Sequence, residues 1–288
     1  MKAPEDRGRT LPSLGLALGG VGWTALACLP LLAWLDRNRV RPAVIATTGF
    51  ATLPAALWAL GLPVSDIAPL LAAHFTHRVF YRRNPIPLLT MIGLPFGNRG
   101  LGHALWRSGR VRAAFARLFD DQQLDAIAVP LHVVLVDCLS GEFVTMTQGS
   151  LAPIAYASTA LLPALPPLNI DGRWLGDASV YYAAPLVDLL SFPGLRHVAA
   201  VSCSFPPPEH YTSLVGQQLT LQLVLQKAGL KTGSLLALEL LAGETVVLAA
   251  RLARPVDPFD ASITEEVVDA GGQELARSAA QLSMVLAG

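Results

Sequence analysis

The segment at residues 41–61, RPAVIATTGFATLPAALWALG, decides the fold because it predicts a strand, then a turn and then a helix. The apolar run at 43–46 predicts a short strand buried on both faces. The residues at 47–50 predict a sharp turn, and those beyond it predict a helix that ends before Gly61. Pro54 fits this helix because it falls in the first turn, where a missing N–H costs little.

The same order of strand, turn and helix occurs upstream. LGLAL at 14–18 predicts a buried strand, and GGVG at 19–22 predicts a tight turn. Residues 23–38 predict a helix that Pro30 either kinks or shortens at its start. Two such units in succession predict a parallel sheet with helices on both faces.

The rest of the chain continues this alternation. We expect a β-like segment at 126–138, a hairpin at 139–149, a helix from 150 that ends in a Pro-rich elbow, a hairpin at 168–180 turning at Asp171-Gly172, a strand at 197–204, helices at 212–228 and 262–286, and a strand or a helix at 235–252. This order predicts a single domain over 14–288 after a flexible segment at 1–13.

The composition narrows the classes of function. The 288 residues can bury a large core, and the net charge of +0 gives no basic excess for binding nucleic acid. The three cysteines are odd in number and far apart, so we expect no disulfide framework and interpret the chain as cytoplasmic.

Two long stretches without charge, 11–35 and 43–64, leave a membrane-spanning hairpin open as an alternative. The basic segment DRNRVR between them would suit its turn. The glycines inside both stretches weaken this alternative because glycine destabilises a helix interior.

Several pieces follow one another in an order typical of a known family. LALGGVGWTALA at 16–27 precedes the elbow segment, and residues 129–186 contain a GE hairpin, a Ser-Thr-Ala helix, a Pro-Pro elbow and a DG hairpin before Asp-Ala-Ser. Over about 14–285 the chain resembles the patatin-like phospholipase family. The resemblance implies a patatin-like (lysophospholipase-like) α/β three-layer sandwich with a mostly parallel central sheet.

The resemblance also implies a site in which a serine attacks an ester, an aspartate is its base and backbone N–H groups stabilise the oxyanion. The serine position falls on Gly49, which has no side chain to attack with, and the base position falls on Asp177. The residues of the elbow are Thr47, Thr48, Gly49, Phe50 and Ala51. Gly49→Ser should restore some esterase activity if the site is otherwise intact, together with Phe50→Ala if the ring blocks it.

The oxyanion loop is altered as well. It corresponds to Gly19, Gly20, Val21 and Gly22. Thr24 and Ala25 replace the family's basic residue and last glycine, whereas the backbone N–H groups can persist because the loop contains no proline.

Other groups leave alternatives open. Thr48, Thr24 and Ser179 are candidates for a displaced nucleophile, and Thr48 should point away from the base because of its one-residue offset. With no nucleophile to serve, Asp177 fits a structural cap of a turn better than a base, and we expect a similar cap at Asp137. The six histidines show no metal-ligand spacing, and we expect neither a metal nor a cofactor.

The sequence favours a degenerate patatin-like domain that acts by binding a lipid, an acyl chain or a partner protein. The alternative is a lipid acyl hydrolase with a displaced nucleophile. Residues 78–100 mix aromatic and cationic groups, and we interpret them as a lid, as a peripheral membrane contact or as a solvated connection. The sequence does not define a protein partner or an oligomeric state.

Overall fold

The computed structural model describes residues 9–76, 79, 84, 101–102, 104–207, 214–240 and 245–287. One sheet of eight strands forms its centre. The strands are β1 (Arg9–Leu18), β2 (Val40–Thr47), β3 (Leu131–Asp137), β4 (Phe143–Met146), β5 (Leu168–Ile170), β6 (Arg173–Asp177), β7 (His197–Ser204) and β8 (Thr245–Arg251). The helices are α1 (Leu29–Arg37), α2 (Thr52–Ala59), α3 (Val64–His74), α4 (Gly109–Phe119), α5 (Leu151–Ser158), α6 (Leu186–Leu190), α7 (Leu214–Leu240) and α8 (Thr264–Ala287).

The sheet is parallel at its centre and antiparallel at one side. Its order is β5-β6-β3-β2-β1-β7-β8, with β4 paired to β3 outside this path. Strands β3, β2, β1, β7 and β8 run parallel to one another, whereas β4, β5 and β6 pair antiparallel. Because parallel strands end at the same edge, the turns after β1, β2, β7 and β8 share one edge of the sheet.

Two hydrophobic cores lie on opposite faces of the sheet. The larger one packs α1, α2, α4, α5 and α8 against one face, and the smaller one packs α6 and Ala237 of α7 against the other. Alternation along β1 separates them, since Leu16 and Leu18 enter the larger core and Ala17 enters the smaller one. The predicted fold class, a three-layer α/β architecture around a mostly parallel sheet, is confirmed.

Most of the predicted elements are present. The strand at 197–204 is confirmed, and the hairpin at 168–180 turns at Asp171 and Gly172, whose φ angles are +51° and +84°. The segment at 23–38 is a 3-10 helix followed by α1, with Pro30 in the first turn of that helix. The predicted hairpin after 126–138 is the antiparallel pair β3–β4.

Three boundaries were wrong. Strand β1 begins at Arg9 rather than at 14, because it pairs with β2 over that length as well. The helix predicted at 212–228 extends to Leu240, and the segment at 235–252 therefore divides between the end of α7 and β8.

The apolar stretches that suggested a membrane hairpin supply β1 and β2 at the centre of the sheet. Within the described ranges, no helix has the length and apolarity needed to cross a bilayer. The interpretation of 78–100 as a lid or a membrane contact lies outside the described residues, apart from 79 and 84.

Candidate functional site

The predicted elbow lies where β2 ends and α2 begins. Thr48 is extended, with φ −131° and ψ 153°, and Gly49 has a φ of +62°. Residues with a side chain rarely adopt this conformation, whereas glycine does so at little cost. The chain therefore keeps the sharp strand-to-helix turn on which hydrolases mount a nucleophile, but Gly49 mounts none.

The space into which a side chain at position 49 would project is already occupied. A Cβ atom built on Gly49 would lie 2.4 Å from the carbonyl oxygen of Gly20 and 3.1 Å from Ser179 Oγ. The N–H of Phe50 donates to that same Gly20 oxygen at 3.0 Å. In an acyl hydrolase the N–H after the nucleophile belongs to the oxyanion hole, and here the chain's own carbonyl takes it.

This geometry corrects one expectation. A serine at position 49 cannot be accommodated unless the backbone around Gly20 moves, because the clash is with a carbonyl oxygen and not with a flexible side chain. Gly49→Ser is therefore not expected to restore an active site, with or without Phe50→Ala.

The predicted oxyanion loop is held by hydrogen bonds and by close packing. The N–H of Gly19 donates to the carbonyl of Val201 at 3.1 Å. Gly22 has a φ of +53°, and a Cβ on it would lie 2.0 Å from the Pro258 oxygen. The side chain of Val21 is buried in a small cluster with Leu161 and Phe259. The loop thus has little room to turn its N–H groups toward a substrate.

The threonine hydroxyls near the elbow are committed to other contacts. Thr48 Oγ1 donates to the carbonyl of Tyr182 at 3.0 Å, so this hydroxyl is already used within the chain. Thr47 Oγ1 lies 3.0 Å from Thr52 Oγ1, and Thr24 Oγ1 donates to a carbonyl within its own loop at 2.7 Å. All four side chains are buried, as is Ala51.

Asp177 is buried at the end of β6, with 5% of its surface exposed. Its Oδ1 accepts a hydrogen bond from the N–H of Ser179 at 2.7 Å. Burial raises the pKa of this carboxyl to about 7, and hydrogen bonds from the Ser179 side chain and N–H oppose the rise. Ser179 is thus the candidate hydroxyl that lies beside both Gly49 and Asp177, and it is 0% exposed.

The chain contains the same Asp-Ala-Ser arrangement a second time. Asp260 begins a 3-10 turn as Asp177 does, and its Oδ1 accepts from the N–H of Ser262 at 2.9 Å. This second copy is exposed. Because this motif caps an exposed turn at Asp260, it supports the interpretation of Asp177 as a structural cap. The repetition of Asp-Ala-Ser was visible in the sequence. Asp137 caps in a similar way, since its Oδ1 accepts from the N–H of Leu139 at 3.0 Å.

Aromatic rings fill the region behind the elbow. They form a continuous series of contacts, with centroid distances of 5.6, 5.9, 4.9 and 5.9 Å, through Trp23, Phe50, Phe75, Phe115 and Tyr156. Each is at most 2% exposed. The sequence analysis identified Phe50 as a ring that could block the site but did not identify its partners, of which Phe75, Phe115 and Tyr156 come from distant segments.

Metal binding finds no support in the part of the chain that the structure describes. No group of three or more His, Cys, Asp or Glu side chains converges there in a way that could hold an ion. His74 Nδ1 lies 3.0 Å from the Leu70 carbonyl, and His132 pairs with Asp188 at 3.3 Å. Both imidazoles thus have ordinary structural partners.

Comparison with known proteins gives a limited result. No family model matches the chain. Its fold is similar to VipD from Legionella pneumophila, with 13% identity and a TM-score of 0.48 over 96% of this chain and 67% of VipD. It is also similar to ExoU from the type III secretion system of Pseudomonas aeruginosa, solved with SpcU, with 15% identity and a TM-score of 0.33. That match covers 94% of this chain and 52% of ExoU, so this chain spans about half the length of ExoU. Likenesses of this size say nothing about the chemistry of the site.

Proposed function

We propose that the chain is a patatin-like domain that has lost ester hydrolysis and acts by binding a lipid or acyl ligand. The observation that carries the first half is the hydrogen bond from the Phe50 N–H to the Gly20 carbonyl. This carbonyl oxygen takes the place of a substrate oxyanion and blocks a side chain at position 49.

Three requirements of acyl transfer fail separately at this site. The nucleophile is absent at Gly49, and loss of the nucleophile in a serine hydrolase costs about 10⁶ in rate. An oxyanion donor is used within the chain, and removal of one such donor costs about 10² to 10³. Buried aromatic rings occupy the region behind the elbow, where an acyl chain would have to lie. Restoring the serine alone would repair one defect of three.

The test is an esterase assay with short-chain and long-chain acyl esters on the folded protein. We expect turnover no faster than that of an Asp177→Asn variant. The variant is a suitable control because an asparagine keeps the oxygen that accepts from the Ser179 N–H but cannot act as a base. Turnover that disappears in Asp177→Asn would contradict the proposal.

A working hydrolase that uses Ser179 is the second candidate. The observation in its favour is that Ser179 Oγ lies next to the elbow, and that the N–H of the same residue donates to Asp177, whose raised pKa of about 7 suits a general base. Against it, Ser179 is fully buried. A fluorophosphonate probe distinguishes the two proposals, because an adduct on Ser179 supports this one and an unlabelled folded protein contradicts it.

The second half of the proposal, binding in place of catalysis, rests on the family resemblance and on the retained architecture. The glycine turn and the strand-to-helix elbow keep their backbone shape although the chemistry is gone. A lipid or acyl ligand must then bind at a surface other than the filled elbow.

A further inference from the structure

A cleft of about 420 Å³ opens between α7 and the carboxyl ends of β7 and β8. Its polar lining includes Lys227 and Lys231 of α7, Arg251 at the end of β8, and the hydroxyls of Ser202 and Ser204. Ligands of open α/β sheets bind at this edge, beyond the carboxyl ends of parallel strands. The cleft is separate from the residues of the elbow.

Along the strands that lead to the cleft, the side chains become smaller or more polar toward the carboxyl ends. On one face of β7, Val198 and Ala200 enter the smaller core, and the same face continues as Ser202 and Ser204. On β8 the matching face runs from Val247 through Ala249 to Arg251, so small side chains leave the space open.

The helix contributes one consistent face. Lys227, Leu230, Lys231 and Ser234 follow helical spacing and all line the cleft. Ser234 Oγ already donates to the Leu230 carbonyl at 2.8 Å, so the donors left for a ligand are the three cations and the strand hydroxyls.

The three cations of the cleft lie without a carboxylate partner in the part of the chain that the structure describes. No ion pair within the described ranges joins Lys227, Lys231 or Arg251 to a carboxylate. Like charges at helical i,i+4 positions repel each other, so an anion bound between them would be stabilised. Ammonium and guanidinium groups together with hydroxyls form a donor set suited to a phosphate group.

A second observation concerns the outer face of the same helix. Large apolar side chains are exposed there at helical spacing, and they define an apolar stripe: Leu221, Val224, Leu225, Leu235, Leu236 and Leu240. Val224 is 58% exposed and Leu240 is 66% exposed. Thr232 and Glu239 are the polar residues along this stripe among those whose side chains the structure describes. A helix with an apolar stripe flanked by lysines is typical of a membrane interface.

Aromatic residues extend this surface. The backbone carbonyl of Tyr181 packs against Gly229 of α7, where a Cβ would lie 2.1 Å away. The ring of Tyr181 is 51% exposed and contacts that of Phe143, which is 42% exposed. Exposed tyrosine and phenylalanine rings beside an apolar helix suit the headgroup region of a bilayer.

We propose that α7 lies on an anionic membrane, with the apolar stripe in the interface and the phosphate headgroup of a lipid in the cationic cleft. The charge of the cleft and the apolarity of the adjacent stripe select a lipid-borne phosphate over a soluble one. This inference rests on the binding half of the proposed function and names the class of ligand and the surface that holds it.

Vesicle co-flotation tests the proposal. The full chain should bind vesicles of phosphatidylcholine containing phosphatidic acid, and bind pure phosphatidylcholine vesicles far more weakly. The variant Lys227→Gln/Lys231→Gln/Arg251→Gln should weaken binding on the order of a hundredfold, since each basic residue near an anionic surface contributes about fivefold. The matched control Arg110→Gln/Arg117→Gln/Arg173→Gln, which removes three exposed cations outside the cleft, should retain binding.

A second variant pair separates the two parts of the surface. Val224→Ser/Leu240→Ser should weaken vesicle binding without lowering the free energy of unfolding, because both side chains are exposed. Glycerol 3-phosphate serves as the soluble arm and should bind weakly, because it lacks the acyl chains that the stripe would contact.

Four outcomes would overturn the proposal. If the cleft and control variants lose vesicle binding equally, the cations act by diffuse electrostatic attraction and not as a site. If pure phosphatidylcholine vesicles bind equally well, the cleft does not recognise an anionic headgroup. Tight binding of glycerol 3-phosphate without vesicle binding assigns the cleft to a soluble ligand. A dimer that the stripe variant converts to a monomer, with no vesicle binding, assigns the stripe to a second copy. The esterase assay tests a different claim. Turnover would contradict the proposed loss of catalysis but would not contradict binding of a lipid phosphate in the cleft.

Discussion

The carboxyl ends of β2 and of β7 lie at the same edge of one sheet, yet they lead into opposite surroundings. After β2 the chain enters the elbow, where a carbonyl oxygen and the Ser179 side chain fill the space beside Gly49. At the end of β7, Ser202 and Ser204 line an open cleft with three cations.

The difference shows that a few side chains at the ends of strands determine which part of this edge can hold a ligand. The backbone is similar in kind at both places, since parallel strands end there and helices follow. At the elbow, the ring of Phe50 packs against Trp23, and the Gly20 carbonyl lies where a side chain at position 49 would project. At β8, Ala249 and Arg251 leave a space and supply charge. The following experiments test each side of this contrast.

The largest effect is expected from emptying the filled region. Phe50→Ala removes a buried ring between Trp23 and Phe75, and should lower the free energy of unfolding by about 3 to 5 kcal/mol. Urea denaturation measures this change. Phe143→Ala is the control, because this ring is 42% exposed and should cost about 1 kcal/mol or less. Equal costs for the two variants would show that the elbow region is not tightly filled.

A slightly smaller effect is expected from adding a side chain at the elbow. Gly49→Ser should lower the free energy of unfolding by about 2 to 5 kcal/mol, which combines backbone strain at φ +62° with overpacking against Gly20. Denaturant unfolding at equal protein concentration is the measurement.

The control for this variant is Gly141→Ser. Gly141 has a φ of +76°, but a Cβ there meets no atom within 4 Å, so only the backbone strain of about 1 to 2 kcal/mol applies. If both serines cost the same, the Gly20 carbonyl does not obstruct position 49. Esterase activity in Gly49→Ser would contradict the closed elbow more directly.

The sequence predicts the fold well where the signal is local. The strand at 197–204 follows from a continuous apolar run, and the turn at Asp171-Gly172 follows from residues that tolerate positive φ. The end of α7 at Leu240 was missed because apolar residues occur on several sides of this helix and give no clear periodicity. The start of β1 at Arg9 depends on pairing with β2, which local sequence does not specify.

For the candidate site, the sequence predicts the missing group but not what replaces it. The absence of a nucleophile at Gly49 is visible directly, whereas the Gly20 carbonyl that closes the elbow depends on the direction of one peptide group. The cleft was missed because its cations come from α7 and β8, which only the tertiary fold brings together. Two signals were nevertheless present, namely the lysines at 227 and 231 and the alternating serines at 202 and 204.

A third prediction concerns the pH dependence of stability at the buried cap. The folded-state pKa of Asp177 is about 7, and the pKa in the unfolded chain is near 3.8. Between about pH 4 and 7 the folded protein therefore holds a proton that the unfolded chain has lost. The contribution of Asp177 is fully present below this window and is lost as the pH rises through it. We expect a slope of at most about 1.4 kcal/mol per pH unit.

Asp177→Asn should remove this slope, as measured by denaturant unfolding at a series of pH values. Asp260→Asn is the matched control, because Asp260 caps the exposed copy of the same Asp-Ala-Ser turn and does not carry the burial that causes the shift. The slope should remain in that variant. A wild-type protein whose stability rises between pH 4 and 7, with the rise absent in Asp177→Asn, would instead show that folding favours the ionised carboxylate and that burial does not raise its pKa.

The smallest effect is expected at the open cleft. Lys227 and Lys231 are like charges at i,i+4 on an exposed helix face, so Lys231→Gln should raise the free energy of unfolding by about 0.2 to 0.5 kcal/mol at low salt. The gain should fade at about 1 M salt, where charges are screened within about 3 Å. Arg173→Gln on β6, an exposed cation outside the cleft and outside any helix, is the control and should show no such salt-dependent gain. If Lys231→Gln instead lowers stability at low salt, the lysine is already neutralised in the free protein. The cleft would then lack the free positive charge that distinguishes it from the closed elbow.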